Sequence, residues 1–187
     1  AVTTAVATAG TGGFAISSNG MNYAPHLQGI VAVFMLLFSI NFNSYYLLLR
    51  RRPKEAFTSE VRTFLIIVLS AITLITLNVY FAGGMEYTFG ETLRHAFFSV
   101  AAIISTTGFA TVDFNLWPSL SKIILLALMF VGACAGSTGG GIKVSRFVII
   151  AKAIKKEFHS YIHPKSVKQV VMDGKEVDAG ITRSVSI

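Results

Sequence analysis

The chain has 187 residues, of which 53% are hydrophobic and only 13% charged, and its mean hydropathy is +0.64. A soluble domain carries about 25% charged residues, so this composition excludes an ordinary soluble domain and points to a membrane. The net charge of +7 would suit a nucleic-acid binder, but the positive residues gather at Arg50, Arg51, Arg52 and Lys54, and again at Lys152, Lys155, Lys156, Lys165 and Lys168, each time after an apolar run; that is the positive-inside pattern of cytoplasmic flanks, and no nucleic-acid partner is expected.

Leu27 to Leu49 is a run of 23 residues without charge. As a helix it is about 35 Å long, enough for a hydrocarbon core of roughly 30 Å. Gln28, Asn41 and Asn43 make it partly polar, so these side chains should face protein or water rather than lipid. The run ends in "RRRPK", which places that end in the cytoplasm. Phe64 to Ala82 is a second uncharged span, running outward. Leu93 to Ser105 is apolar but only 13 residues long. At about 20 Å it is too short to cross, as a re-entrant helix would be. "TTGFATVDFN" follows at once, and irregular backbone at membrane depth is tolerated only inside protein or beside a water-filled cavity. Trp117 to Ile154 would form one very long helix, but a glycine cluster splits it into Leu120 to Ala135 and Ile142 to Ile154. The tail is polar. Asp173-Gly174 lies between β-prone residues and predicts a hairpin ribbon.

An internal repeat runs through this pattern. "AGTGGFA" (Ala9 to Ala15) lies over "ISTTGFA" (Ile104 to Ala110), and "NYAP" (Asn22 to Pro25) falls near "NLWP" (Asn115 to Pro118). The unit is a short helix, a Thr/Gly loop, Asn-x-x-Pro and a long helix. It occurs once complete, at about Gly90 to Ile154, and once without its beginning, at Ala1 to Leu49. The chain therefore reads as an internal piece of a longer protein.

A re-entrant helix followed by a Thr/Gly loop is the layout of an ion-selectivity filter, in which backbone carbonyls replace a cation's hydration shell. Glycine lets successive carbonyls point the same way, and threonine adds a neutral oxygen. Neither loop holds a carboxylate, which disfavours a calcium-type site. Asp113 is placed to attract cations at the mouth. The other reading of each loop is a helix-breaking turn, but two copies in matching contexts favour a filter. "AGSTGGGIK" (Ala135 to Lys143) looks at first like a phosphate-binding loop. Ile142 separates Gly141 from Lys143, and Val144 stands where such a loop needs Ser or Thr. A break inside a membrane helix fits better, either as a packing kink or as a movable loop that blocks and opens a pathway. The single cysteine, Cys134, excludes an intrachain disulfide and reads as a small buried hydrophobe. His26, His95, His159 and His163 show no metal-ligand spacing, and no catalytic constellation appears.

"STTGFATVDF", followed by a span that ends in "FVGACAGSTGGGIKVSR", closely resembles the Trk/Ktr/HKT superfamily of potassium transporters, and within it the bacterial Trk membrane subunit. The resemblance covers the whole chain. It implies an all-α integral membrane protein built from four helix–pore loop–helix repeats around one pore. Residues 1–49 would end the second repeat, with filter loop 9–15 and transmembrane helix 27–49. Residues 50–61 would be a cytoplasmic linker. Residues 62–156 would be the third repeat, with transmembrane helix 62–82, pore helix 92–105, filter 105–110 and a broken transmembrane helix 118–156. Residues 157–187 would lead toward a missing fourth repeat. The resemblance puts the filter at Gly10, Thr11, Gly12, Gly13 and Phe14 and at Ser105, Thr106, Thr107, Gly108 and Phe109. Potassium would meet the carbonyls of Thr11, Gly12, Gly13, Thr106, Thr107 and Gly108. The gate loop would be Gly136, Ser137, Thr138, Gly139, Gly140 and Gly141, with Lys143 at its cytoplasmic edge.

The implied function is potassium uptake across the bacterial cytoplasmic membrane, with potassium as the transported ion and no organic cofactor. The implied partners are membrane lipid, a second copy of the chain, and a TrkA-like cytoplasmic ring of nucleotide-binding subunits. "RRRPK" and "KAIKKEFH" lie on the correct side for that ring, and equally suit ordinary positive-inside anchors. The first filter loop, which sets potassium against sodium preference in parts of the superfamily, is not in this sequence. Glycine at both visible loops favours potassium. The alternatives are a sodium-selective or sodium-coupled member of the same superfamily, a nucleotide-binding membrane enzyme using the glycine-rich loop, and a noncatalytic membrane scaffold.

Overall fold

The computed structural model describes residues 2–15, 23–82, 87–162, 171–172 and 175–176. They form an all-α core of eight helices, with a short antiparallel ribbon outside it. The helices are α1 (Val2–Ala9), α2 (Pro25–Phe38), α3 (Phe42–Leu49), α4 (Pro53–Ala56), α5 (Ser59–Phe81), α6 (Phe89–Ile104), α7 (Ser119–Val131) and α8 (Val144–Ile162). The ribbon pairs Val171 with Glu176 and Met172 with Lys175, on either side of the expected Asp173-Gly174 turn. That turn, His163, Lys165 and Lys168 lie outside the described residues.

Helix α5 is the scaffold. Thr58 caps it by accepting from the Val61 amide at 3.3 Å. Its 23 residues make it, among the described helices, the one long and apolar enough to cross a membrane by itself. It packs against α6, α7 and α8 through Phe64, Val68, Ile75 and Val79, which meet Val100 and Ile104, Leu125 and Leu128, and Val144 and Val148. The Ser121 hydroxyl donates to Asn78 Oδ1 at 2.8 Å, so the polar pair between α5 and α7 is satisfied.

Helix α6 starts earlier than hydropathy indicates. Thr88 and Glu91 form a capping box, in which the Thr88 amide donates to Glu91 Oε2 at 3.0 Å. With 16 residues α6 remains too short to cross. It is buried on both sides. One face meets α5 and α7; the other places Phe98, Ala101 and Ala102 against Ala32 and Met35 of α2.

Two expectations need correction. The run 27–49 is not one straight helix: α2 and α3 meet at 91° and pass as a span only if counted as one bent pair. The cause is local and polar. The Asn41 side chain accepts from the Asn43 amide at 2.8 Å and starts α3, while Ser39 turns its hydroxyl back to the Met35 carbonyl at 2.8 Å. The second concerns the broken helix expected over 118–156. Its break is wider than the six Gly/Ser/Thr residues: α7 stops at Val131 and α8 begins at Val144, leaving residues 132–143 non-helical. Gly132, at φ +69°, ends the first half. Helix α7, with 13 residues, is apolar but shorter than a crossing needs.

Candidate functional site

The two Thr/Gly loops leave their helices through matching turns. After α1, Gly10 N donates to Val6 O at 2.9 Å and Thr11 N to Thr8 O at 3.3 Å. After α6, Ser105 N donates to Ala101 O at 3.1 Å and Thr106 N to Ile103 O at 3.0 Å. Left-handed residues then follow in register: Thr11 and Gly13 at φ +49° and +68°, Thr106 and Gly108 at +60° and +78°. For a β-branched threonine this conformation is an outlier, costing about 1–3 kcal/mol. It occurs here twice, at equivalent positions of the repeat.

The loops touch. A Cβ on Gly13 would stand 2.0 Å from the Thr107 carbonyl oxygen, so only glycine fits there. Gly108 is different, with nothing within 4 Å of where its Cβ would be, so only its φ requires glycine. Ser105 and Thr107 are buried and bonded to one another through their hydroxyls at 2.7 Å. Phe109 is buried among Ala7, Met35 and Phe98, whereas Phe14 is 76% exposed. Asp113 is exposed and caps the turn Phe114–Leu116, accepting from the Asn115 amide at 2.9 Å.

Residues 132–143 form a loop with a tight neck. The Gly132 and Gly141 backbones lie against each other: a Cβ on either would come within 2.7 Å of the other's Cα. Ala133 N donates to Gly140 O at 3.2 Å and Ile142 N to Phe130 O at 3.2 Å. The Lys143 ammonium donates to the Gly139 carbonyl and closes the far side. Sequence reading places the loop from Gly136 and misses Gly132, although a lone glycine two residues before Cys134 was visible.

This loop is docked on two surfaces. One is the α2–α3 bend: Cys134 N donates to Ser39 O at 3.0 Å, Phe42 N to Gly136 O at 3.1 Å, and the Thr138 hydroxyl to Phe38 O at 3.2 Å. The other is the pair of Thr/Gly loops. Gly140 N donates to Thr106 Oγ1 at 2.7 Å, and Thr11 Oγ1 reaches the Thr138 carbonyl at 3.1 Å. The two strained threonines are thus the two residues whose hydroxyls hold the glycine-rich loop. The Ser137 hydroxyl donates to Cys134 O at 2.6 Å within the loop. Sequence reading also passes over Glu60, a buried carboxylate at the start of α5, which accepts from Ala135 N at 2.6 Å and Ser145 N at 3.2 Å.

Comparison with known proteins bears on this arrangement. The family model described as "TrkH: Cation transport protein" matches residues 1–185. The chain belongs to the TrkH family. It is 33% identical over 181 residues to the Trk system potassium uptake protein TrkH of Halomonas elongata, covering 95% of this chain and 37% of that protein. It is 32% identical over 184 residues to the Trk system potassium uptake protein TrkG of Escherichia coli K12, covering 96% of this chain and 38% of that one. Its fold matches the crystal structure of the potassium transporter TrkH from Vibrio parahaemolyticus with a TM-score of 0.87 and 26% identity, over 96% of this chain and 40% of that chain. The chain therefore spans well under half the length of these relatives.

The TrkH relatives are named as transport proteins rather than enzymes. The geometry gives the physical reason that the glycine-rich loop is no phosphate cradle. Such a cradle needs free amides converging on an anion. Here the amides of Cys134, Ala135, Thr138 and Gly140 are donated to Ser39, Glu60, Phe38 and Thr106, and Lys143 is spent on Gly139. Of the histidines, His95 is held between Arg94 and the Thr111 hydroxyl, each at 3.2 Å. Arginine can only donate, so Nε2 accepts and Nδ1–H donates to Thr111. This ties α6 to the segment after its loop.

Proposed function

We propose that this chain forms part of a potassium uptake pathway across the bacterial cytoplasmic membrane, without covalent chemistry. The observation that carries the reading is the paired left-handed Thr/Gly loops, in contact with each other and bonded through Thr11 and Thr106 to one glycine-rich loop. Carbonyls of Thr11, Gly12, Gly13, Thr106, Thr107 and Gly108 supply neutral oxygens, which suit a monovalent cation that must bind and leave again. The names of the relatives support potassium as the ion. The membrane potential supplies about 2.3 kcal/mol per charge per 100 mV.

Residues 136–141, with Lys143, act as the gate in this reading. Docked on both threonines the loop obstructs the route; released from them it opens it. Residues 1–49 and 62–156 are the second and third of four repeats, joined by the linker 50–61, and 157–187 lead toward the fourth. The assembly has membrane lipid around it, a second copy beside it, and a cytoplasmic nucleotide-binding ring against its basic segments.

Gly108→Ser in the full-length protein tests the filter. The space beside Gly108 is open, so serine meets no clash. Its Cβ is unfavourable at φ +78° and redirects the neighbouring carbonyls. Discrimination of potassium over sodium should fall. Unchanged rubidium uptake with unchanged sodium competition would remove the filter assignment.

A further inference from the structure

We infer that Glu60 is the latch of the glycine-rich loop, a positioning residue that keeps the loop docked by holding its two ends together. The inference rests on the gate reading above and adds a residue and a release step to it.

Glu60 is 5% exposed, yet the ion pair among the described residues is Arg52–Glu55, not one made by Glu60. Lys143 acts on Glu60 only from beyond salt-bridge distance, so this buried carboxylate must be satisfied by hydrogen bonds. Its Oε1 accepts two, from the amides of Ala135 at 2.6 Å and Ser145 at 3.2 Å, and the Ser145 side chain is a further partner. These amides are 75 and 85 residues away in sequence, and they flank the glycine-rich segment 136–141 within the loop. Ala135 is at its entry. Ser145 is in the first turn of α8.

Each partner has its own need. The first amides of a helix have no intrahelical acceptor and carry the positive end of the helix dipole. The residue before α8 is Lys143, at φ +81°, whose side chain has no acceptor and is turned to Gly139. Glu60 therefore caps α8 from another helix. The same oxygen then takes the Ala135 amide, which would otherwise be an unpaired donor beside buried Cys134. One oxygen joins the fixed end of the break, α8, to its variable end, Ala135.

This fixes what opening requires. Ser145 belongs to a helix packed on α5 and stays with Glu60. Ala135 belongs to the loop. Release from Thr106 and Thr11 can become a swing of the whole segment only when the Ala135–Glu60 bond breaks. Until then the motion is confined to residues beyond Ala135.

The test uses the full-length protein in proteoliposomes. Glu60→Gln keeps the volume but removes the charge, and its NH2 group competes with the donors it faces. Rubidium flux should rise by about tenfold or more, the scale of losing a charge-assisted hydrogen bond. A cysteine at Ser137, in a Cys134→Ala background, should react faster with an impermeant thiol reagent from the cytoplasmic side. A merely structural role predicts the reverse, lower expression and lower flux. Glu60→Asp retains the charge but retracts it, and should fall between parent and Glu60→Gln; it decides the matter if the glutamine variant does not fold. Folded variants with parental flux and parental thiol reactivity overturn the latch. Deleting Gly139 to Gly141 separates the two claims. If the deletion raises flux and Glu60→Gln does not, the latch alone fails; if neither does, the gate reading fails with it.

Discussion

Replacing Thr106 with valine probes the contact between the second Thr/Gly loop and the glycine-rich loop. Valine has the same branched shape, so the strain of φ +60° is retained. What disappears is the hydroxyl that accepts Gly140 N–H at 2.7 Å and itself donates to the Ser105 carbonyl at 2.6 Å; Ser105 O lies in the same loop in either state, so the difference between docked and released states comes from Gly140. An amide left unpaired in a part-buried site costs about 1–3 kcal/mol. In the released loop the same amide reaches other partners or water, so the cost falls on the docked state alone. That corresponds to about a 5- to 150-fold rise in the released fraction. The Thr11–Thr138 contact on the other loop remains and keeps the docked state from vanishing. The assay is rubidium influx into proteoliposomes with the full-length protein, with Thr106→Ser as the control that keeps the oxygen. Flux should rise in the valine variant and stay near parental in the serine variant. Parental flux in well-folded Thr106→Val, or an equal rise in Thr106→Ser, refutes the reasoning.

Gly132→Ala should break the neck of the loop, since its Cβ would stand 2.4 Å from the Gly140 oxygen at a φ of +69°. Left-handed strain of about 1–2 kcal/mol and overpacking of about 1–3 kcal/mol together predict a clear loss of thermal stability in detergent, measured by melting. Gly29→Ala is the matched control: nothing lies within 4 Å of its Cβ, and alanine in helix α2 should be neutral or stabilising. Gly13→Ala and Gly108→Ala should differ in uptake despite their equivalent places in the repeat, because only the first drives a Cβ into the Thr107 carbonyl; equal retention of rubidium uptake in both would contradict the contact between the loops. Asn41→Ala removes the cap of α3 at the bend and should cost about 1 kcal/mol in chemical denaturation, with Asn41→Ser restoring most of it.

The repeat was legible in the sequence because it is written in local backbone demands. "TGGF" and "TTGF" specify glycine where φ is positive, and the structure uses Gly13 and Gly108 there. The uncharged run of α5 and the shortness of α6 were legible for a similar reason, since length and hydropathy are properties of one segment. The 91° bend between α2 and α3 was not, because the run around it carries no charge and has the length of one span. The partners that hold it, Cys134 and Thr138, are about a hundred residues away. Asn41 was the available signal, a cap residue standing inside an apparent span. The start of α6 was also written down, in Thr88 and Glu91, but hydropathy outweighed it. Glu60 gave no signal. In sequence it is one charge among several between two apolar runs, and its value comes only from the two amides brought to it by folding.

In the function proposed above, the glycine-rich loop, bonded to Thr11 and Thr106, obstructs a potassium route. Rubidium flux through the full-length protein lacking Gly139 to Gly141, measured with and without competing sodium, tests it most directly. Flux should be higher with sodium still excluded, because the obstruction is removed and the Thr/Gly loops remain. Unaltered flux at normal expression, or higher flux with sodium admitted, contradicts it.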